Sequence, residues 1–210
     1  WGDPMLVLPF GRQWKEAHAA GVSEAEHVYP GQPELGHHVI GCLNEAEFDV
    51  AHSRTLAPGQ SLGHTFDFVC RRIMRGARVP QLPVLLNTYY APNRPSATRC
   101  YALGRALRQA VDSWESDLTV ALIASGGLTH TVLDQSMDQA ILEGMRNRDE
   151  RALTRFPESV FVDGTSEIKA WIVLAGAMEA DPREMQLIDY VPCYRSVAGT
   201  GCGMGFAYWE

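Results

Sequence analysis

The segment LIASGGLTHTVLD, which spans Leu122 to Asp134, contains the pattern that decides the fold we expect. An apolar run ends at Ser125, two glycines follow, and a histidine stands at position 130. A short apolar run bounded by turn residues is typical of a buried strand, so we predict a strand over residues 118–124. In open α/β sheets, ligands bind beyond the carboxyl ends of strands. The residues after this strand are therefore the first place to look for a functional site.

Around that segment, strand-like and helix-like stretches alternate along the chain. The clearest helical periodicity begins after Ser96, a residue type that caps helices. Such alternation predicts an α/β fold, with one domain over residues 1–210 and a mixed or parallel sheet flanked by helices. The predicted elements are strands over residues 82–90, 118–124, 187–196 and 201–209, and helices over residues 34–46, 96–114, 137–148 and from residue 165 onward.

Composition argues against some classes of binding partner and indicates the redox state of the compartment. The 210 residues carry a formal net charge of −7 and no long basic cluster, which argues against a nucleic-acid or membrane partner. No apolar run approaches the ~20 residues that a membrane span needs. The five cysteines contain no CxxC pair, so we expect thiols in a reducing cytoplasm rather than a disulfide framework or a zinc site.

The Gly-Gly turn before His130 favours a ligand site. Glycine lets the backbone come close to a ligand, and histidine is the usual general acid or base near neutral pH. We predict His130 as a catalytic residue, with substrate contacts from Ser125, Gly126, Gly127 and Thr129. A surface histidine, or one hydrogen-bonded in the core, stays open as the alternative.

Two further residues are candidates for the same site. Glu167 follows Thr165 and Ser166, which can cap a helix, so its carboxylate would stand near a helix start. It is either an ordinary part of that cap or a metal ligand. His64 is flanked by Phe66 and Phe68 and is either a half-buried core histidine or a polar group on an apolar pocket wall.

Four segments together resemble the type III extradiol ring-cleavage dioxygenases, the family of the protocatechuate 4,5-dioxygenase β subunit. The resemblance runs from about residue 32 to the end of the chain. The segments are NTYYAPNRPSATRCYALGRALRQAVDSW (87–114), VALIASGGLTH (120–130), GTSEIKAWIVLAGAM (164–178) and YVPCYRSVAGTGCGMGFAYW (190–209).

The resemblance implies an iron enzyme that opens an aromatic ring. Its fold would be an α/β sandwich, and its cofactor Fe(II), held by two histidines and one glutamate. Glu167 matches the glutamate ligand, His130 matches the acid/base histidine, and His64 resembles a second pocket histidine. The substrates would be a catechol-like aromatic and O₂, and a homo- or hetero-oligomer is expected. If these roles hold, Glu167 and His130 must converge on one cavity.

The two histidine ligands of the family have no match in this sequence. They would precede Trp1, so we expect a catalytic domain that is incomplete at its amino end. Three explanations stay open: the chain is the later part of a longer enzyme, another polypeptide supplies the missing strand, or the chain is a metal-free paralogous subunit with a structural or regulatory role.

Overall fold

The computed structural model describes residues 30–53 and 64–210. The chain divides into two compact units, residues 1–85 and 86–210. In the first unit, helix α1 spans Pro33–Glu45, and helix α2 spans His64–Phe68 and continues into a π-helical turn, Val69–Ile73. Pro33 stands in the first turn of α1, where its missing N–H costs no hydrogen bond. The helix buries one stripe at helical spacing, namely Leu35, Val39 and Leu43.

The second unit contains four α-helices among the residues that the structure describes. They are α3 (Ala97–Asp112), α4 (Gln135–Arg146), α5 (Glu150–Thr154) and α6 (Ile168–Met178), with 3₁₀ turns at Glu158–Val160 and Asp163–Glu167. The predicted cap of α3 is confirmed, because the Ser96 side chain accepts a hydrogen bond from the N–H of Arg99 at 3.1 Å. Asp134 caps α4 in the same way, through the N–H of Met137. Local sequence therefore fixes where both helices begin.

The sheet of the second unit has three strands. They are β1 (His130–Val132), β2 (Met185–Tyr194) and β3 (Thr200–Trp209), in the order β1-β3-β2. Both pairings are antiparallel, and an irregularity between Leu187 and Asp189 shifts the register of β2 against β3. One face of the sheet packs on the helices, and β3 contributes Gly201 and Gly203 as buried residues there.

The core of the second unit lies between its helices and the inner face of this sheet. Helices α3 and α6 approach closely because glycines face the partner backbone, Gly104 against Val173 and Gly176 against Tyr101. The buried apolar residues that surround this crossing are Cys100, Tyr101, Leu128, Ile141, Leu142, Met145, Leu153, Phe161, Ile168, Trp171 and Ile172.

The predicted α/β class is confirmed, and so are the two strands near the carboxyl end. In the described part of the chain, however, the named strands pair only antiparallel, not in the mixed or parallel sheet that we predicted. Residues 82–90 and 118–124 form no named strand. Leu118 and Ile123 are 58% and 54% exposed, so the run before the glycines is not a buried strand. An apolar, β-favouring run becomes a strand only where a neighbouring backbone pairs with it.

No described helix combines the length and apolar character that crossing a membrane requires. That residues 1–210 make up a single catalytic domain stays a prediction.

Candidate active site

The loop that carries the Gly-Gly pair leads directly into β1, whose first residue is His130. Strand β3 holds this loop from one side: the N–H of Leu128 donates to the carbonyl of Gly203, and the N–H of Gly203 donates to the carbonyl of Thr129, both at 2.8 Å. His130 pairs with Cys202 across β1 and β3. His130 therefore begins a strand of the sheet, whereas we predicted that it follows the carboxyl end of one.

A second segment, the 3₁₀ turn Asp163–Glu167, approaches the same loop and supplies two side chains. The hydroxyl of Thr165 accepts a hydrogen bond from the backbone N–H of His130 at 2.9 Å and lies 3.2 Å from its carbonyl. Glu167 ends the turn and immediately precedes α6. We had predicted a helix from residue 165 onward, but the α-helix begins only at Ile168 and the 3₁₀ turn precedes it.

The two segments bring the carboxylate and the imidazole together. Nε2 of His130 lies 3.7 Å from Oε2 of Glu167, and that oxygen accepts the N–H of Gly127 at 2.8 Å. The side chains of His130 and Glu167 are 24% and 39% exposed, so both remain within reach of a small molecule. The Nε1–H of Trp171, on α6, donates to the carbonyl of Gly126 at 2.9 Å and holds the loop against the helix.

Two glycines are required because the side chain of His130 packs directly against them. A Cβ added at Gly127 would collide with the imidazole ring of His130, and one at Gly164 would lie 2.6 Å from its Cβ and Cγ. At Gly126 an added Cβ would lie 2.9 Å from Cβ of Glu167. The Gly-Gly pair thus makes room for the site's own side chains.

Hydrogen bonding fixes the tautomer of His130. Its Nδ1 lies 2.8 Å from the carbonyl oxygen of Leu128, and a carbonyl can only accept, so Nδ1 carries the hydrogen. In the neutral ring, Nε2 then carries a lone pair and can accept a hydrogen, and it lies 3.2 Å from Sγ of Cys202 and 3.7 Å from Oε2 of Glu167. This is the arrangement that a general base needs, with the second ring nitrogen fixed by its own hydrogen bond.

Cys202 is the third side chain at this place. Its Sγ lies 3.2 Å from Nε2 of His130 and 3.6 Å from Sδ of Met204. Burial, followed by the negative charge of Glu167, raises the pKa of the Cys202 thiol to about 11. The thiol therefore keeps its proton at neutral pH and donates weakly to Nε2.

A buried carboxylate supports the loop from below. Asp138 on α4 is fully buried; its Oδ1 accepts the N–H of Thr129 at 2.8 Å, and its Oδ2 accepts the hydroxyl of Tyr190 at 2.7 Å. Burial, followed by the hydrogen bond and charge of Asp138, raises the pKa of Tyr190 above its usual range. Thr129 is itself only 2% exposed, and its hydroxyl accepts the N–H of Asp134. These contacts favour a supporting position for Thr129.

Among the predicted site residues, the structure gathers five in the second unit: Gly126, Gly127, Thr129, His130 and Glu167, with Ser125 directly before them in the chain. His64 begins helix α2 in the first unit. Its proposed contact with substrate stays a prediction.

Sequence reasoning missed Thr165, Trp171 and Cys202 as members of the site. The sequence suggests Thr165 only as a helix cap and Cys202 only as one of five thiols. Cys202 meets His130 across 72 positions of sequence, so no local pattern reveals it. The contact follows from the register of β1 against β3, which pairs His130 with Cys202.

In the part of the chain that the structure describes, no three histidine, cysteine, aspartate or glutamate side chains are grouped so that they could hold a metal ion. The described residues offer one carboxylate, that of Glu167, beside one imidazole. This arrangement can hold part of a cation's coordination shell and can exchange a proton at Nε2.

Comparison with known proteins gives two findings. The family described as "Catalytic LigB subunit of aromatic ring-opening dioxygenase" matches residues 2–203. Gallate dioxygenase of Pseudomonas putida is 26% identical over 182 residues, which cover 80% of this chain and 52% of the relative. The chain thus spans about half the length of the curated relative that it matches.

Proposed function

The chain belongs to the family of catalytic LigB subunits of aromatic ring-opening dioxygenases, and on that premise we propose that it catalyses extradiol cleavage of a catechol-type ring with O₂. The observation that carries the proposal is the distance of 3.7 Å between Nε2 of His130 and Oε2 of Glu167. Ring opening of a diol needs a group that moves protons beside a group that binds the metal. These two side chains supply that combination.

Fe(II) is the cofactor that we propose, with Glu167 as one of its ligands. The carboxylate fits this role because Oε2 already accepts one backbone N–H, which fixes the side chain, and its exposed fraction leaves it accessible. Two histidines with one carboxylate is the usual ligand set of non-haem Fe(II) oxygenases. The described residues supply only the carboxylate, so we assign no histidine ligand. Fe(II) contributes one-electron chemistry between an aromatic diol and dioxygen.

His130 is proposed as the residue that moves the proton. Its Nε2 accepts a proton from a substrate hydroxyl and later returns one to an oxygen of the opening ring. The hydrogen bond from Nδ1 to the Leu128 carbonyl persists in both charge states, so the ring keeps its orientation throughout. Thr165 fixes the backbone of the same residue.

The remaining contacts follow from the position of the loop. We propose that Ser125, Gly126 and Gly127 line the substrate side of the site. Gallate is the first substrate to test, because a relative of this chain is a gallate dioxygenase. A cytoplasmic location and an oligomeric assembly belong to the same proposal.

The test is oxygen uptake by the purified full gene product after reconstitution with Fe(II), with gallate, protocatechuate and catechol offered in turn. We expect oxygen consumption matched by formation of a ring-opened product for at least one of them. His130→Ala should lower turnover by roughly 10²-fold or more while bound iron stays at the wild-type level.

The exposed His37 on α1 provides the matched control, since His37→Ala removes an imidazole from the same chain and should leave turnover unchanged. A pure, iron-loaded gene product that consumes no oxygen with any of the three diols would point instead to the non-catalytic subunit.

A further inference from the structure

Two cysteines face each other across β2 and β3. Cys193 and Cys202 are paired positions in the antiparallel register, so their side chains leave the sheet on the same face. Directly opposite residues in such a ladder have Cα atoms about 4.5–5.5 Å apart. A disulfide spans Cα separations of about 4.4–6.8 Å. The pair therefore meets the backbone requirement for a bond.

The two thiols differ in environment. Both are free, and Cys193 is exposed whereas Cys202 is half-buried. The raised pKa of Cys202 keeps it protonated at neutral pH. Oxidants in solution therefore reach Cys193 first, and Cys202 stands opposite it as the second thiol.

Cys202 also connects the pair to the candidate active site. Its sulfur lies 3.2 Å from Nε2 of His130, the ring nitrogen that accepts a hydrogen in the neutral imidazole. A sulfur atom bonded to Cys193 has no hydrogen to donate, and it must turn toward β2. Oxidation of the pair therefore removes the thiol as a hydrogen-bond donor to the ring of His130.

We propose that Cys193 and Cys202 form a reversible disulfide when the chain meets a hydroperoxide, and that this bond withdraws the Cys202 sulfur from His130. Hydrogen peroxide first oxidises the Cys193 thiolate to a sulfenic acid, and hydroxide leaves. The Cys202 sulfur then attacks the Cys193 sulfur, the S–S bond forms, and water leaves with the thiol proton. The two thiols lose two electrons in total, and the peroxide gains them. A dithiol reductant restores both thiols by exchange.

The disulfide itself does not depend on the function of the chain, but its effect on turnover rests on the proposed function. The reduced thiol is one of two hydrogen-bond partners of the His130 ring, and the disulfide leaves only the Leu128 carbonyl. Loss of one such partner should lower turnover by roughly three- to tenfold.

The experiment treats the purified chain with hydrogen peroxide, maps its peptides without reduction, and then measures oxygen uptake before and after dithiothreitol. We expect one linked pair of peptides, joined through Cys193 and Cys202 and lighter by two hydrogens than the sum of the reduced peptides. Turnover should fall on oxidation and recover on reduction. Cys193→Ser should abolish the linked pair and the reversible fall in turnover.

Cys42→Ser is the matched control, because it removes another incompletely buried thiol and should leave the linked pair intact. Peroxide treatment that oxidises Cys193 to sulfinic acid, with no linked pair, would overturn the proposal. A linked pair with unchanged turnover would overturn the connection to His130. Absence of turnover in the reduced chain would count against the proposed function alone, since the peptide map still decides the disulfide.

Discussion

At the scale of single residues, Gly164 determines how close the 3₁₀ turn comes to His130. A methyl group there would lie 2.6 Å from two atoms of the histidine side chain. We expect Gly164→Ala to push the ring away from Glu167 and to lower turnover by about tenfold or more, with a loss of stability of about 1–3 kcal/mol. Steady-state kinetics and urea unfolding measure the two effects.

Gly41→Ala is the comparison for this variant, because an added Cβ at Gly41 meets nothing within 4 Å. It should keep full turnover. Equal kinetics for the wild type and for Gly164→Ala would show that the turn does not constrain the histidine.

Thr131, the residue after His130, is strained. Its φ is 69°, in the left-handed region, and a β-branched residue there costs about 1–2 kcal/mol relative to the ordinary conformation. Thr131→Gly should therefore keep or raise the free energy of unfolding, by up to about 1 kcal/mol. Val132→Gly, at an exposed neighbouring position of the same strand, should lower it by about 0.5–1 kcal/mol. Urea denaturation of both variants checks the difference, and a larger loss at Thr131 than at Val132 would contradict it.

At the scale of elements, the crossing of α3 and α6 depends on the absence of side chains. A Cβ at Gly104 would collide with the carbonyl of Val173 and lie 2.7 Å from the backbone nitrogen of Ala177. Backbone atoms cannot rotate away, so Gly104→Ala should destabilise the chain by about 3 kcal/mol or more. Gly41→Ala, also within a helix, should instead stabilise it by about 0.5–1 kcal/mol. We expect the thermal unfolding temperature to fall in Gly104→Ala and to rise in Gly41→Ala. Wild-type stability in Gly104→Ala would refute the close crossing.

The residues that follow α6 give a prediction about acid stability. Hydrogen bonds from Arg183 and from Arg108, on α3, hold the pKa of Asp181 far below its usual range. A carboxylate with a depressed pKa in the folded state stabilises the fold above its unfolded pKa of about 3.9, and this contribution is lost as the pH falls below that value. The free energy of unfolding should therefore fall as the pH decreases from 4.

In Asp181→Asn, a neutral side chain replaces the carboxylate and removes its titration. Stability at pH 6 should be lower than in the wild type, and the fall below about pH 4 should be shallower. Parallel curves for the two proteins between pH 6 and pH 2.5 would contradict the role of Asp181.

At the scale of the whole molecule, local chemistry predicted much of the fold. The Ser96 cap, the amphipathic stripe of α1 and the two long strands at the carboxyl end are each decided by residues within a few positions of one another. The predicted strand over residues 118–124 is absent for the opposite reason. Its composition favours a strand, but strand formation depends on a partner backbone that composition does not specify.

The candidate site was predictable only in part. Resemblance to a family pointed to His130 and Glu167, and the structure brings those two together. Thr165, Trp171 and Cys202 take part through contacts that join positions 35 to 72 residues apart, which periodicity and propensity do not address. The Gly-Gly pair was predicted to admit a ligand, whereas Gly127, like Gly164 in the 3₁₀ turn, makes room for the imidazole itself.

The most direct test of the central claim is the iron content of the full gene product after reconstitution, measured beside turnover for three variants. Glu167→Ala should lose most of its bound iron and all turnover, because a carboxylate ligand is removed. His130→Ala should retain iron and lose turnover, and Glu184→Ala, which removes an exposed carboxylate, should change neither. Wild-type iron and turnover in Glu167→Ala would contradict the account, because the carboxylate beside His130 would then not belong to the site.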